Sequence, residues 1–205
     1  MNDYLARKAT DTLKRVIISK HQDVADVQPK DGIFCFNCSG FIGWLLRDHL
    51  DAYIDFWPKS GERPYVKDYC DRIQELKTNP SPYWESIESV WDIRPGDIVS
   101  WKRPTQYGDR YPSGHVMIAV EPVSLSPRPN EVLLTVIDST KQPHTDDSRE
   151  VSKRTGLGHG VVGIGINEDG TPKSYFWRGA LSTNEIITWV GAARMKTPTP
   201  PVFGV

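Results

Sequence analysis

Apolar residues recur at helical spacing in the first third of the chain and alternate with polar ones over much of the remainder. Leu5, Ala6, Ala9, Leu13 and Val16 fall on one face of a 3.6-residue period, which predicts an amphipathic helix over residues 4–18. Gln28-Pro29-Lys30-Asp31-Gly32 is a turn sequence. The apolar run beginning at Cys38 and including Phe41, Ile42, Trp44, Leu45 and Leu46 predicts a second helix over residues 38–50, separated from the next segment by Pro58-Lys59-Ser60-Gly61. Residues 66–76 predict a third, stopped by Asn79-Pro80-Ser81-Pro82.

The period then shortens. Residues 97–101, 115–120, 131–137, 161–166, 174–178 and 186–195 all read as strands, and Glu168-Asp169-Gly170 joins two of them as a hairpin turn. Helices first and antiparallel strands afterwards predict an α+β fold, with the N-terminal helices packed on an antiparallel sheet. No repeat or internal linker interrupts it, so residues 1–196 read as one domain, followed by a Pro-rich tail over 197–205.

Composition narrows the function classes. A chain of 205 residues can bury about 70% of its unfolded surface without staples. The net charge of −1 gives no electrostatic footprint for nucleic acid. No apolar run approaches the roughly 18 residues of a membrane span, so no membrane partner is expected. The polar start Met1-Asn2-Asp3-Tyr4 lacks the apolar stretch of a signal peptide, which read literally makes the protein cytoplasmic; a chain trimmed of an export signal would begin the same way. Three cysteines, Cys35, Cys38 and Cys70, are too few and odd in number for a disulfide framework.

Candidate chemistry centres on Cys38. A free cysteine is most often a small buried hydrophobe, but this one stands at the start of a helix, where backbone N–H groups favour negative charge. A thiol in that position ionises with a pKa that falls from about 8.5 to roughly 3.5–7.5. Ser39 and Gly40 follow it as small residues that let a substrate backbone approach. His115 opens a strand-like run, Val116, Ile118 and Val120 giving that strand a buried face, and Gly114 before it keeps the imidazole accessible. A positioned histidine typically contributes about 10²–10⁴-fold by proton transfer. Asp138 ends the next strand, where an antiparallel partner brings its carboxylate beside His115 to fix the tautomer and stabilise the imidazolium. An aspartate there is equally a strand-end turn residue, and His144, in a Pro-containing loop, is a rival third member. Asn37, Ser39 and Gly114 are the candidate substrate-binding residues. The surrounding groove is expected from loops such as 105–112 and 141–148.

Other motifs carry less. Cys35-x-x-Cys38 has redox or metal spacing, but a zinc site needs two more ligands and no second CxxC or HxxxH is present; no metal and no cofactor are expected. Gly158-His159-Gly160-Val161-Val162-Gly163 matches GxGxxG literally but leads into a strand rather than opening a helix, which argues against dinucleotide binding. Seven tryptophans read as core or groove lining, Trp44 on the Cys38 helix among them.

Three segments together resemble the NlpC/P60-type papain-like cysteine peptidases. Asn37-Cys38-Ser39-Gly40-Phe41 is similar to the D-C-S-G-F signature, with Asn37 where the family has Asp. Arg94-Pro95-Gly96-Asp97-Ile98-Val99 resembles the R-P-G-D-L-V element ahead of the catalytic histidine, and Gly114-His115-Val116-Met117-Ile118-Ala119-Val120 resembles the G-H-V-G-I-Y-V strand. They occur in the family's order over roughly residues 32–140, with His115 following Cys38 by 77 residues.

The resemblance implies a papain-like α+β fold and a Cys–His–polar triad with Asp138 at the third position, where the family often has His. It also implies cleavage of amide or peptide bonds, in the family those of bacterial peptidoglycan stem peptides. The expected function is therefore a cysteine hydrolase acting through a thioester: Cys38 as nucleophile, His115 as base and acid, Asp138 as orienter, and the Cys38 backbone N–H at the oxyanion. The alternatives are an idle papain-like peptide- or glycan-binding module, and an acyltransferase on the same fold.

Overall fold

The computed structural model describes residues 3–104, 114–152 and 155–196. Helix α1 (Tyr4–Lys14) buries Leu5, Ala6, Ala9 and Thr12. It stops four residues before the predicted end. Val16-Ile17-Ile18 is a β-branched run, stiff at χ1 and better suited to extended backbone, and the Ile17 and Ile18 amides donate to the Gly32 carbonyl at 2.8 and 3.1 Å.

That departure starts a small sheet that the sequence reading missed. Strands β1 (Ile18–Lys20), β2 (Asp26–Gln28) and β3 (Ile33–Cys35) align in the order β1-β3-β2, with β1 parallel and β2 antiparallel to β3. Each has three residues, too short for a period-2 pattern to register. The predicted second helix is two: α2 (Cys38–Leu46) and α3 (Leu50–Ile54), parted where His49 leaves helical geometry at φ −129°, ψ 62°. Helix α4 (Val66–Glu75) agrees with expectation and buries Tyr69, Cys70 and Ile73.

The large sheet comprises β4 (Trp84–Ile87), β5 (Ile98–Lys102), β6 (Gly114–Ala119), β7 (Ser124–Leu125), β8 (Glu131–Thr140), β9 (Gly156–Ile166), β10 (Pro172–Phe176), β11 (Ile186–Ile187) and β12 (Val190–Met195). Among the described residues its order is β11-β10-β9-β8-β6-β5-β12-β4, with β7 on β8, and every pairing is antiparallel. The predicted last strand divides in two: β11 pairs with β10 whereas β12 pairs with β4 and β5. Strand β4 was not anticipated. The proposed tail over 197–205 lies outside the described residues.

Alternation along the strands builds two cores. Ile98, Val116, Ile118, Ile137 and Ala193 face the helices and pack with Leu5, Phe41, Ile42, Leu45 and Ile73. Val99, Trp101, Met117, Val136, Val162 and Ile164 point to the opposite face, where the sheet coils until β10 approaches β12. Trp101 of β5 and Tyr175 of β10 stack there at 4.3 Å and 13°. Strand β6 starts and β8 ends at the same edge of the sheet, and the N-terminus of α2 is delivered to that edge. The Phe36 amide donates to the Lys20 carbonyl at 3.1 Å, and the Phe36 carbonyl accepts from the Ser139 hydroxyl at 2.5 Å. The segment entering α2 is thereby fastened both to β1 and to the end of β8.

Candidate active site

Cys38 is the first residue of α2. Asn37 caps the helix from extended backbone (φ −82°, ψ 179°), its Oδ1 accepting from the Gly40 amide at 2.8 Å. The same oxygen accepts from the Ser39 hydroxyl at 3.1 Å and from Arg63 Nη1 at 3.4 Å, while Asn37 Nδ2 donates to Asp23 Oδ1 at 3.1 Å. An uncharged cap makes these four contacts with both ends of its amide; an aspartate would turn an acceptor toward Asp23. Asn37 and Ser39, expected to touch substrate, are buried with their polar atoms engaged in the cap, and neither lines the cleft described below. Gly114 does line it, and a Cβ there would meet the Trp101 carbonyl and Val66.

His115 sits on β6 beside Trp101 of β5, its register partner. Ile118 pairs with Ile137 and Ala119 with Val136 across β6 and β8, so His115 and Asp138 share the face that carries Met117 and Val136. His115 Nε2 hydrogen-bonds Asp138 Oδ2. Cys38 is the other group that interacts with His115, and the two line the same cleft. Burial alone would lower the pKa of this imidazole. The Cys38 side chain and the Asp138 carboxylate outweigh burial and raise it to about 9. The structure thus brings Cys38, His115 and Asp138 into one chain of contacts.

Asp138 has more partners than a third triad member requires. His144 Nε2 lies 3.0 Å from the same Oδ2, and Arg149 Nη1 donates to Oδ1 at 2.8 Å. Arg149, on α5 (Ser148–Ser152), also binds Asp147 through Nε to Oδ1 at 2.8 Å and Nη2 to Oδ2 at 2.6 Å. Asp147 Oδ2 accepts the His144 amide at 2.7 Å, and His144 Nδ1 lies 2.9 Å from the Trp177 carbonyl. All four side chains are buried. Burial would push the Asp138 carboxyl up, but His144, Arg149 and His115 hold it well below the usual carboxylate range. Asp138 and His144, alternatives in the sequence, meet here: the two histidines His115 and His144 both contact Asp138 Oδ2.

Two of the three glycines of the GxGxxG match, Gly158 and Gly160, find their explanation here. These glycines lie inside β9, and a Cβ on Gly158 would come within 2.5 Å of Arg149 Nε, one on Gly160 within 2.7 Å of Asp147 Oδ2 and 2.9 Å of His144 Cβ. They leave room for the cage around Asp138. Arg149 and Asp147 were missed by sequence reasoning, and the two glycines were the signal that could have pointed to them.

The oxygen and nitrogen ligand atoms of His115, Asp138 and His144 lie within 4.8 Å of one another, the one such metal-sized grouping among the described residues. Its chemistry does not suit a cation, because Arg149 already supplies positive charge at Asp138 Oδ1 and the two imidazoles occupy Oδ2.

Cys38 and His115 open into a cleft of about 740 Å³. Trp101, Tyr175 and Trp177 wall one side, and Gln142 and Asn184 add amides. His21 also lines it; its Nδ1 lies 3.0 Å from the Ser139 carbonyl and so carries the proton. No sequence signal marked His21, which reaches the cleft through β1. The expected groove loop over 141–148 contributes Lys141 and Gln142, whereas 105–112 lies outside the described residues.

The other thiols are protected. Burial pushes Cys70 up to about 12, and burial also raises Cys35. Cys70 Sγ contacts Ser100 Oγ at 2.9 Å.

The chain is 26% identical over 160 residues to an uncharacterized protein of Acanthamoeba polyphaga mimivirus, R653, the match covering 69% of this chain and 67% of the other. No protein-family model matches the chain. No solved structure matches it.

Proposed function

We propose that the protein is a cysteine hydrolase of NlpC/P60 type that cleaves an amide or peptide bond through a thioester. One observation carries the reading: Cys38, at a capped helix start, lines one cleft with His115, whose Nε2 is held by a buried carboxylate. This arrangement activates a thiol and orients its base. The open cleft at Cys38 gives a substrate access to it.

In this mechanism Cys38 Sγ attacks the carbonyl carbon. The developing oxyanion is met by the Cys38 N–H, one of the first-turn amides that have no intrahelical partner. The His115 imidazolium gives its proton to the leaving nitrogen as the C–N bond breaks, and a thioester remains. Neutral His115 then takes a proton from water, the resulting hydroxide attacks the thioester carbon, and the C–S bond breaks. Asp138 stabilises the imidazolium in both halves. Bacterial stem peptides are the first substrates to try, on the strength of the three motif segments.

The test is to incubate the protein with stem peptides and a general peptide-amide panel, with and without an added amine, and to follow products and protein mass. Hydrolysed product with transient acylation on Cys38, absent in Cys38→Ser, is expected. Aminolysed product would favour the acyltransferase, and bound but uncut peptide the idle module.

A further inference from the structure

The mechanism above uses one histidine, yet two meet Asp138 Oδ2. The hydrogen-bond roles around His144 are constrained. Its Nδ1 faces the Trp177 carbonyl, which can only accept, so Nδ1 carries a proton. Its Nε2 faces Asp138 Oδ2 at 3.0 Å, and Oδ2 already receives His115. A bare Nε2 would set a lone pair against a carboxylate oxygen.

Charge balance points the same way. Asp138 and Asp147 are two buried carboxylates against one guanidinium, Arg149. The Cys38–His115 couple adds nothing to the sum, either as thiol and imidazole or as thiolate and imidazolium. A cationic His144 brings the buried cluster to zero, whereas a neutral one leaves an uncompensated negative charge out of water. The groups facing His144 are Asp138 from β8, His115 from β6, Asp147 and Arg149 from its own loop and α5, and the Trp177 carbonyl after β10. His21 approaches from β1 only as far as the Ser139 carbonyl.

We infer that His144 is a positioning residue that sits in the resting site with protons on both ring nitrogens, sharing Asp138 Oδ2 with His115. It acts through Asp138. Its charge offsets part of the carboxylate's pull on the His115 proton, so that His115 gives that proton up to a leaving nitrogen more readily. The role assigned to His115 rests on the proposed hydrolase reading; the proton count on His144 does not.

The test is a long-range ¹H–¹⁵N correlation spectrum of the ¹⁵N-histidine-labelled protein at pH 7. Five histidines are present. His21→Gln, His49→Gln and His159→Gln assign three ring systems by loss, and His115 is recognised by its response to Cys38 alkylation, so His144 is identified even if its own variant does not fold. Both His144 nitrogens in the protonated range are expected; one bare nitrogen overturns the inference. In His144→Gln, which keeps a donor but no charge, the His115 titration should move upward, and an unchanged titration overturns the tuning role. A doubly protonated His144 beside an inert Cys38 would uphold the proton count and sink the hydrolase reading.

Discussion

Arg149 holds Asp138 by one carboxylate oxygen, Nη1 to Oδ1 at 2.8 Å, and so leaves Oδ2 to the histidines. The same guanidinium binds Asp147 through two further nitrogens. Arg149→Met keeps much of the buried volume but leaves Asp147 without its cation and Asp138 Oδ1 without its guanidinium donor. Breaking a buried pair in this way costs about 3–5 kcal/mol. Urea unfolding at pH 7 should show a loss of that order, and a loss below about 1 kcal/mol, the scale of an exposed pair, would contradict the cage.

Gly160→Ala should destabilise through the same cage. The added methyl meets Asp147 Oδ2 and His144 Cβ, neither of which is the loose end of a flexible side chain. Overpacking of this kind costs about 1–3 kcal/mol. The comparison is Gly61→Ala, at φ +75° with nothing within 4 Å, where only backbone strain acts. If the pair of variants gave equal losses in thermal denaturation, the glycine's packing role would be lost.

Asn37→Ala removes the cap of α2 and the acceptor for Ser39. A lost N-cap costs about 1 kcal/mol. Reactivity at Cys38 should fall as well, because the helix start that presents the thiol loosens. Calorimetry combined with thiol-labelling rates separates the two effects.

His115 has a pH signature. Its folded pKa, about 9, lies above the unfolded value of 6.5, so the folded state binds its proton more tightly. The resulting stabilisation is complete below pH 6.5 and is lost as pH rises through about 9. The stability gap between the native protein and His115→Gln should shrink over that window. Turnover should fall on the same alkaline limb as the acid for the leaving nitrogen disappears. A gap constant from pH 6 to pH 10 would contradict the raised pKa.

Much of the coarse architecture was legible because periodicity records burial. Helices α1 and α4, the start of α2 and the central strands β5, β6, β8 and β9 each bury one side in a core, so their sequences alternate or repeat accordingly. Strands β1 to β3 were illegible for the opposite reason: three residues each, with β1 and β2 mostly exposed, carry no pattern. At the site, Cys38 and His115 were marked by motif and Asp138 by strand order. Arg149, Asp147 and His21 are set by contacts between distant segments, 11 residues apart for Asp138–Arg149 and 118 for His21–Ser139, which no local spacing encodes. Asn37 and Ser39 lie in the helix cap and outside the cleft lining, which the sequence does not show because proximity to a nucleophile is shared by groups that hold the helix and groups that touch substrate.

The pairing of Cys38 with His115 is tested most directly by iodoacetamide labelling against pH, mapped to each cysteine, in the native protein and in His115→Ala. Labelling of Cys38 below about pH 7, lost in the variant, with Cys35 and Cys70 unlabelled in both, is the predicted result. Labelling of Cys38 only near pH 8.5, as an ordinary thiol, and equally in both proteins, would contradict an activated pair.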